Sequence, residues 1–182
     1  AEKEGVKLLV LKYDKSGNGT LEFDEFIHFL RALPNVNLEC FDIDNVKETD
    51  LELPADQARI YFDGMDLDKT HSLNANEICE FINAIRTKDF KWQIKMIFRA
   101  ADKDQSRKVS FDELASCLKA LQGMEMTKEQ FQSKCQNELN KSKKELEYWE
   151  FYKIISGEEI DHDTDPYDGK LLDKKSSCCL LL

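Results

Sequence analysis

Hydrophobic residues recur along most of this chain at the spacing of one face of an α-helix. The stripes that precede three polar segments consist of Val6, Leu9, Val10 and Tyr13, then Ala58, Tyr61, Phe62 and Met65, then Ile94, Ile97, Phe98 and Ala101. The stripes that follow them consist of Phe26, Phe29, Leu30 and Leu33, then Ile78, Phe81, Ile82 and Ile85, then Leu114, Cys117, Leu118 and Leu121. Each set has the i, i+3, i+4, i+7 spacing of an amphipathic helix. The pattern predicts an all-α fold built from helix–loop–helix repeats.

A fourth unit of the same kind follows with weaker signals. Phe131 and Cys135 mark its incoming helix, and Phe151, Ile154 and Ile155 mark its outgoing helix. An ordinary terminal helix pair is the alternative interpretation of this segment.

The first polar segment, "DKSGNGTLEFDE", places oxygen-bearing side chains at alternate positions. In order along these twelve residues they are Asp14, Ser16, Asn18, Thr20, Glu22 and Glu25. Calcium takes six to eight oxygen ligands, and a twelve-residue loop supplies them from positions 1, 3, 5, 7, 9 and 12. Gly19 stands at position 6, where the sharp turn needs a positive φ. The spacing predicts a calcium site.

Two further segments repeat this arrangement. The second supplies Asp66, Asp68, Thr70, Ser72, Asn74 and Glu77, and the third supplies Asp102, Asp104, Ser106, Lys108 through its carbonyl, Ser110 and Glu113. Position 6 is His71 in one and Arg107 in the other. A left-handed non-glycine residue costs roughly 1–2 kcal/mol, which weakens binding about tenfold if the cost falls wholly on the calcium-bound state. We therefore expect the first loop to bind most tightly, and the charges of Arg107 and Lys108 to weaken the third.

These loops resemble EF-hand loops, and residues 1 to about 157 resemble the calmodulin-like EF-hand superfamily. The resemblance implies two lobes of paired hands, with short antiparallel β-bridges between paired loops. It also implies Ca²⁺ at three sites, with Mg²⁺ as an alternative occupant at rest.

The fourth loop departs from the EF-hand pattern. With Glu150 at position 12, positions 1, 3 and 5 are Leu139, Lys141 and Lys143. A lysine ammonium has no acceptor atom, so it cannot hold a cation. Leu146 at position 8 nevertheless matches Leu21, Leu73 and Val109 in the other loops. We interpret this unit as a non-binding partner of the third hand.

The repeats divide the chain into three parts. Residues 1–87 form a first pair of hands, with an inserted linker at about 33–54, and residues 88–157 form a second pair. The insertion carries Leu38, Phe41, Ile43, Leu51 and Leu53, which are expected to pack over the first lobe or to form part of a partner site. Residues 158–182 are expected to be a flexible acidic tail.

Composition narrows the function. The net charge of −10 argues against nucleic acid as a partner and is compatible with cation binding. The three histidines, His28, His71 and His162, are scattered, and no catalytic arrangement is legible, so we expect a binding protein and not an enzyme. The six cysteines match no zinc pattern, and a reduced cytoplasmic protein is the default.

The tail raises two further questions. "DHDTDPYDG" alternates Asp161, Asp163 and Asp165, but Pro166 then falls at position 6, so a solvated acidic linker is favoured over a fifth site. The chain ends in "CCLLL", which has the form of a prenylation motif at Cys179, with Cys178 as a palmitoylation candidate. This predicts attachment to the cytoplasmic face of a membrane.

Three functions remain open at this stage. A calcium sensor would open its helix pairs and present an apolar groove to a target protein or amphipathic helix. A buffer would bind calcium without opening, and a regulatory subunit would stay bound to an enzyme. The sensor is favoured, because a lipid anchor and an inactive hand argue mildly against a buffer.

Overall fold

The computed structural model describes residues 2–35, 47–50, 54–118, 127–139 and 145–171. The chain divides into two compact units, Ala1–Met96 and Ile97–Leu182. Within the described ranges no helix is long and apolar enough to cross a membrane.

The first unit contains the first two predicted loops. Its elements are α1 (Glu2–Tyr13), β1 (Thr20–Glu22), α2 (Phe23–Ala32), a short 3-10 turn (Leu33–Asn35), α3 (Ala55–Met65), β2 (Ser72–Asn74) and α4 (Ala75–Arg86), after which α5 covers Phe90–Ala101. Strands β1 and β2 pair antiparallel, with Leu21 opposite Leu73.

The second unit repeats this order of elements. Strand β3 (Lys108–Ser110) leads into α6 (Phe111–Cys117), and α7 (Lys128–Leu139) is followed by β4 (Glu145–Glu147) and α8 (Tyr148–Ser156). Strands β3 and β4 pair antiparallel, with Val109 opposite Leu146. The described chain is mostly helical with short antiparallel strand pairs, which is consistent with the predicted all-α class.

Most positions of the predicted stripes are buried. The core of the first unit centres on Phe26, whose ring lies 5.6 Å from that of Phe62 and 5.4 Å from that of Phe81. In the second unit Phe151 packs against Phe98 and Phe131. The ends of some stripes differ: Leu30, Leu33 and Cys117 are half-buried and Ile85 is 44% exposed, because the last helical turn extends past the packed core.

The segment between α2 and α3, predicted as an insertion, is described only in part. The apolar residues predicted to pack there, Leu38, Phe41, Ile43, Leu51 and Leu53, lie outside the described residues. Residues 47–50 run beside α2, where Thr49 N donates to Arg31 O at 3.0 Å and Arg31 Nε donates to Thr49 O at 3.2 Å. His28 Nδ1 lies 3.0 Å from the carboxylate of Glu48.

Residues 158–171 differ from the flexible, solvated tail that the sequence predicts. The side chain of Tyr167 is only 1% exposed. Two of the alternating acids, Asp161 and Asp165, accept main-chain hydrogen bonds that close tight turns. Asp165 accepts from Tyr167 N at 3.0 Å and from Gly169 N at 2.9 Å, and Asp161 accepts from Asp163 N at 2.9 Å. We call residues 158–171 the strap. Cys178 and Cys179 lie outside the described residues.

Candidate cation-binding loops

The first aspartate of each predicted loop is fixed by the main chain of that loop. In all three, the Oδ2 atom accepts a hydrogen bond from the amide at position 6. The donors are Gly19 N to Asp14 at 2.6 Å, His71 N to Asp66 at 3.0 Å and Arg107 N to Asp102 at 2.9 Å. The same wrapped geometry therefore forms whether or not position 6 is glycine.

That geometry requires two left-handed residues in each loop. The φ angles at position 6 are +81° for Gly19, +62° for His71 and +67° for Arg107. Position 4 is also left-handed, at Gly17, Lys69 and Gln105, and sequence reasoning missed this. Since a left-handed non-glycine residue costs roughly 1–2 kcal/mol, the second and third loops hold more backbone strain than the first.

The remaining predicted ligands lie close to one another within their loops. Ser16 Oγ donates to Asp14 Oδ1 at 3.0 Å, Thr20 N and Oγ1 donate to Asn18 Oδ1 at 3.0 and 2.8 Å, and Thr70 Oγ1 donates to Asp68 Oδ1 at 2.8 Å and lies 3.2 Å from Ser72 Oγ. In the third loop Ser106 N donates to Asp104 Oδ1 at 3.2 Å, and Ser106 Oγ donates to Lys108 O at 3.0 Å. These contacts gather the oxygens of each loop.

The glutamate at position 12 closes the first loop from the outgoing helix. Glu25 is 7% exposed, and its two carboxylate oxygens accept from Lys15 N and from Glu22 N, both at 2.9 Å. Glu22, predicted as a ligand at position 9, forms a reciprocal capping box with Glu25 at the start of α2. Glu25 therefore links both ends of the loop to the first turn of the helix.

Glu77 holds the corresponding place in the second loop but is less satisfied. One carboxylate oxygen accepts from Asn74 Nδ2 at 2.6 Å. The other, Oε2, is buried and has no hydrogen-bond partner among the described residues. Burial, together with the negative charges of Asp68 and Asp66, raises the pKa of Glu77 to about 7. A buried acceptor surrounded by like charge is the environment that a divalent cation would neutralise, so these residues fit Ca²⁺.

In the third loop the closing glutamate, Glu113, is exposed and forms a reciprocal capping box with Ser110 at the start of α6. Glu113 Oε2 accepts from Ser110 N at 3.0 Å, and Glu113 N donates to Ser110 Oγ at 3.2 Å. Asp102 is 1% exposed, and burial raises its pKa. Its Oδ1 atom accepts from Ser106 N at 3.0 Å.

The acids alone do not make a site in any loop. In the part of the chain that the structure describes, no three or more His, Cys, Asp or Glu side chains are grouped closely enough to hold a metal ion. Calcium in such loops would depend equally on hydroxyl, amide and main-chain oxygens, which the twelve-residue pattern supplies.

The fourth loop is described only at its ends. Lys141 and Lys143 lie outside the described residues. Glu150, at position 12, is 1% exposed, and one of its oxygens accepts from Glu147 N at 3.3 Å. The end of this loop that continues into β4 and α8 therefore has the expected structure. The assignment of its ligand positions rests on the sequence alone.

Comparison with known proteins supports an EF-hand loop in one segment of the chain. A family model described as the EF hand domain matches residues 93–121, which include the whole third loop. No curated protein matches. Among solved structures, a redox protein from Chlamydomonas reinhardtii is 17% identical, with 92% of this chain and 50% of that chain covered and a TM-score of 0.33. The chain spans about half the length of that protein, and so low a TM-score carries no weight for fold or function.

The family match supports an EF-hand protein that binds calcium. It concerns residues 93–121 and supports calcium binding by that segment. The number of sites, the pairing into lobes and the role of the bound ion go beyond the match.

Glu77 should make the stability of the calcium-free protein depend on pH. Its folded pKa of about 7 lies above the ordinary value of 4.5, so the folded state holds a proton that the unfolded state has lost. Stability should therefore fall as pH rises from about 4.5 to 7. Glu77→Gln should flatten this slope and raise stability above pH 7.

The slope can be measured by urea unfolding in chelator, in a Trp149→Phe background. Trp92 is then the remaining tryptophan, and it stacks on Tyr61 within the first unit at 5.8 Å. Asp50→Asn, at an exposed site, is the control and should leave the slope in place. An unchanged slope in Glu77→Gln would show that Glu77 is not the titrating group.

Proposed function

We propose that the chain is an EF-hand calcium sensor with three cation-binding loops. The observation that carries this proposal is the buried Oε2 of Glu77, which has no hydrogen-bond partner among the described residues and is affected by the negative charges of Asp68 and Asp66. The charge of a divalent cation would offset the repulsion between Glu77 and these two aspartates. The first and third loops repeat the hydrogen bond from the position-6 amide to the first aspartate and are assigned the same role.

The position of the closing glutamates would allow a bound cation to act on a helix, as a sensor requires. Glu25, Glu77 and Glu113 all lie in the first turn of an outgoing helix, α2, α4 or α6. A cation that recruits such a glutamate therefore acts directly on the orientation of that helix. Sensor EF-hands use this movement to expose an apolar groove for a target protein or an amphipathic helix.

The fourth unit is proposed to pair with the third without binding calcium. Support comes from the register of β3 and β4, in which Val109 faces Leu146 across the hairpin-like bridge. The first two loops are joined in the same way by Leu21 and Leu73. This gives the two-lobed arrangement of paired hands, with Lys141 and Lys143 in place of ligands in the fourth loop.

A calcium buffer and a calcium-responsive enzyme subunit remain the alternatives. Attachment to the cytoplasmic face of a membrane through Cys178 and Cys179 stays a prediction from sequence, because these residues lie outside the described part of the chain.

Calorimetric titration should show three calcium ions per chain. Glu77→Gln should remove one binding event, since it takes a charge and an oxygen ligand from the second loop. Glu150→Gln should leave three, because the fourth loop has lysines at its ligand positions. A stoichiometry of four that falls to three in Glu150→Gln would contradict the proposed role of the fourth unit.

Binding of an apolar fluorescent dye tests the sensor assignment. Calcium should increase dye fluorescence, and magnesium at a matched ionic strength provides the control. Three bound ions with no gain in dye binding would identify a buffer, whereas co-purification of an enzyme in calcium-free buffer would identify a subunit.

A further inference from the structure

The strap, residues 158–171, contacts the first predicted ligand of the third loop. The hydroxyl of Tyr167 donates to Asp102 Oδ2 at 2.7 Å and lies 3.4 Å from Asp102 O. Both side chains are buried, each with 1% exposure. A buried hydrogen bond to a carboxylate is among the stronger hydrogen bonds in proteins, so this contact constrains the acid.

Two arginines beside the loop are paired with acids of the strap. Arg107 Nε donates to Asp165 Oδ1 at 3.0 Å. Arg99, 3% exposed, donates through Nη2 to Asp168 Oδ2 at 3.2 Å and through Nε to the carbonyl of Pro166 at 2.6 Å.

The ring of Tyr167 lies close to both of these cations. The guanidinium of Arg99 is 5.5 Å from the ring centre, and that of Arg107 is 5.7 Å from it. The sequence predicts that the charge of Arg107 opposes calcium binding. The strap supplies a carboxylate that offsets this charge.

The hydrogen bonds to Asp102 divide between its two oxygens. Oδ2 accepts from Arg107 N and from Tyr167, while Oδ1 accepts from Ser106 within the loop. Tyr167 therefore reinforces the contact that the position-6 amide makes in every loop. The hydrogen bond from Tyr167 fixes the rotation of the Asp102 carboxylate. Its Oδ1 atom stays directed toward Ser106 in the third loop.

We propose that Tyr167 is a positioning residue for calcium at the third loop, and that strap docking and calcium binding at this loop strengthen each other. The inference rests on the proposed function, because it assumes that the third loop binds calcium. A carboxylate that is already oriented loses less rotational freedom when it takes a ligand. Coupling between two binding events is reciprocal, so calcium should stabilise the docked strap to the same degree.

Calcium affinity at the third loop is the first test. The full chain carrying Glu25→Gln and Glu77→Gln is the parent, so that the third loop is the predicted remaining site. In calorimetry, adding Tyr167→Phe should weaken binding about tenfold, which corresponds to about 1.4 kcal/mol. Adding Asp165→Asn should weaken it about threefold, because the charge of Arg107 is no longer offset.

Tyr152→Phe is the matched control. Tyr152 is a buried tyrosine of the same unit, at 3% exposure, and its hydroxyl makes no hydrogen bond to the described residues. It should leave the affinity unchanged. If Tyr167→Phe lowers far-ultraviolet circular dichroism, the affinity of Asp165→Asn decides the question instead.

Hydrogen exchange distinguishes a coupling between Tyr167 and calcium from a purely structural role of Tyr167. In the parent, calcium should slow exchange at the amides of Tyr167 and Gly169, which donate to Asp165. In Tyr167→Phe this effect of calcium should be lost. If the parent and Tyr167→Phe bind calcium with equal affinity, and calcium slows exchange at these amides equally in both, the inference is wrong and the proposed function is unaffected. Absence of calcium binding in the folded parent overturns the assignment of the third loop and the inference together.

Discussion

Replacing Glu25 with glutamine should weaken calcium binding at the first loop by about a hundredfold. Loss of a residue that only orients a metal ligand typically weakens binding by about 10- to 100-fold, and Glu25 is proposed to contact the ion directly. The glutamate is proposed to supply two oxygens and a negative charge. Glutamine supplies one oxygen, no charge and an amide group that can only donate. Glu25 also accepts from Lys15 N and Glu22 N through separate oxygens, so glutamine would satisfy only one of these amides.

Calorimetry of the single variant against the parent measures this effect. Among the three predicted loops, the first alone has glycine at both left-handed positions, so it should bind calcium most tightly. Glu25→Gln should therefore remove the tightest binding event. Asp24→Asn is the control: it removes an adjacent, exposed carboxylate of the same helical turn that lies outside the proposed ligand set. If the tightest event survives in Glu25→Gln, the predicted ranking of the loops is wrong.

The geometry of the loops could be predicted because it is local. Asp14 and the Gly19 amide are five residues apart, and Glu25 and the Lys15 amide are ten apart. A pattern of twelve residues therefore contains both members of each contact. The left-handed residues at position 4 were missed because Lys69 and Gln105 carry no glycine signal, and the loop imposes their conformation.

The strap could not be predicted because its contacts are distant in sequence. Tyr167 and Asp102 are 65 residues apart, and Arg107 and Asp165 are 58 apart. No periodicity joins such pairs, and alternating acids are equally typical of a solvated linker. The available signals were an aromatic residue in an acidic segment and an arginine, Arg99, next to Phe98 on an amphipathic helix.

The largest stability effect is expected from Phe26→Ala, at about 4 kcal/mol. Phe26 is fully buried, and its ring lies within 6.3 Å of the ring of Phe29 as well as near those of Phe62 and Phe81. Truncation loses the transfer free energy of the ring and leaves a cavity between three aromatic side chains. These rings come from three different helices, α2, α3 and α4, and cannot all move inward to fill the cavity.

Urea unfolding in chelator should show this loss through Trp92 fluorescence in the Trp149→Phe background. The chelator is needed because bound calcium would add stability by mass action and mask part of the effect. Leu11→Ala is the control, since Leu11 in α1 is 61% exposed and its truncation should change stability by no more than about 0.5 kcal/mol. A loss below about 1 kcal/mol in Phe26→Ala would mean that the site collapses around the missing ring, against the packing described for this core.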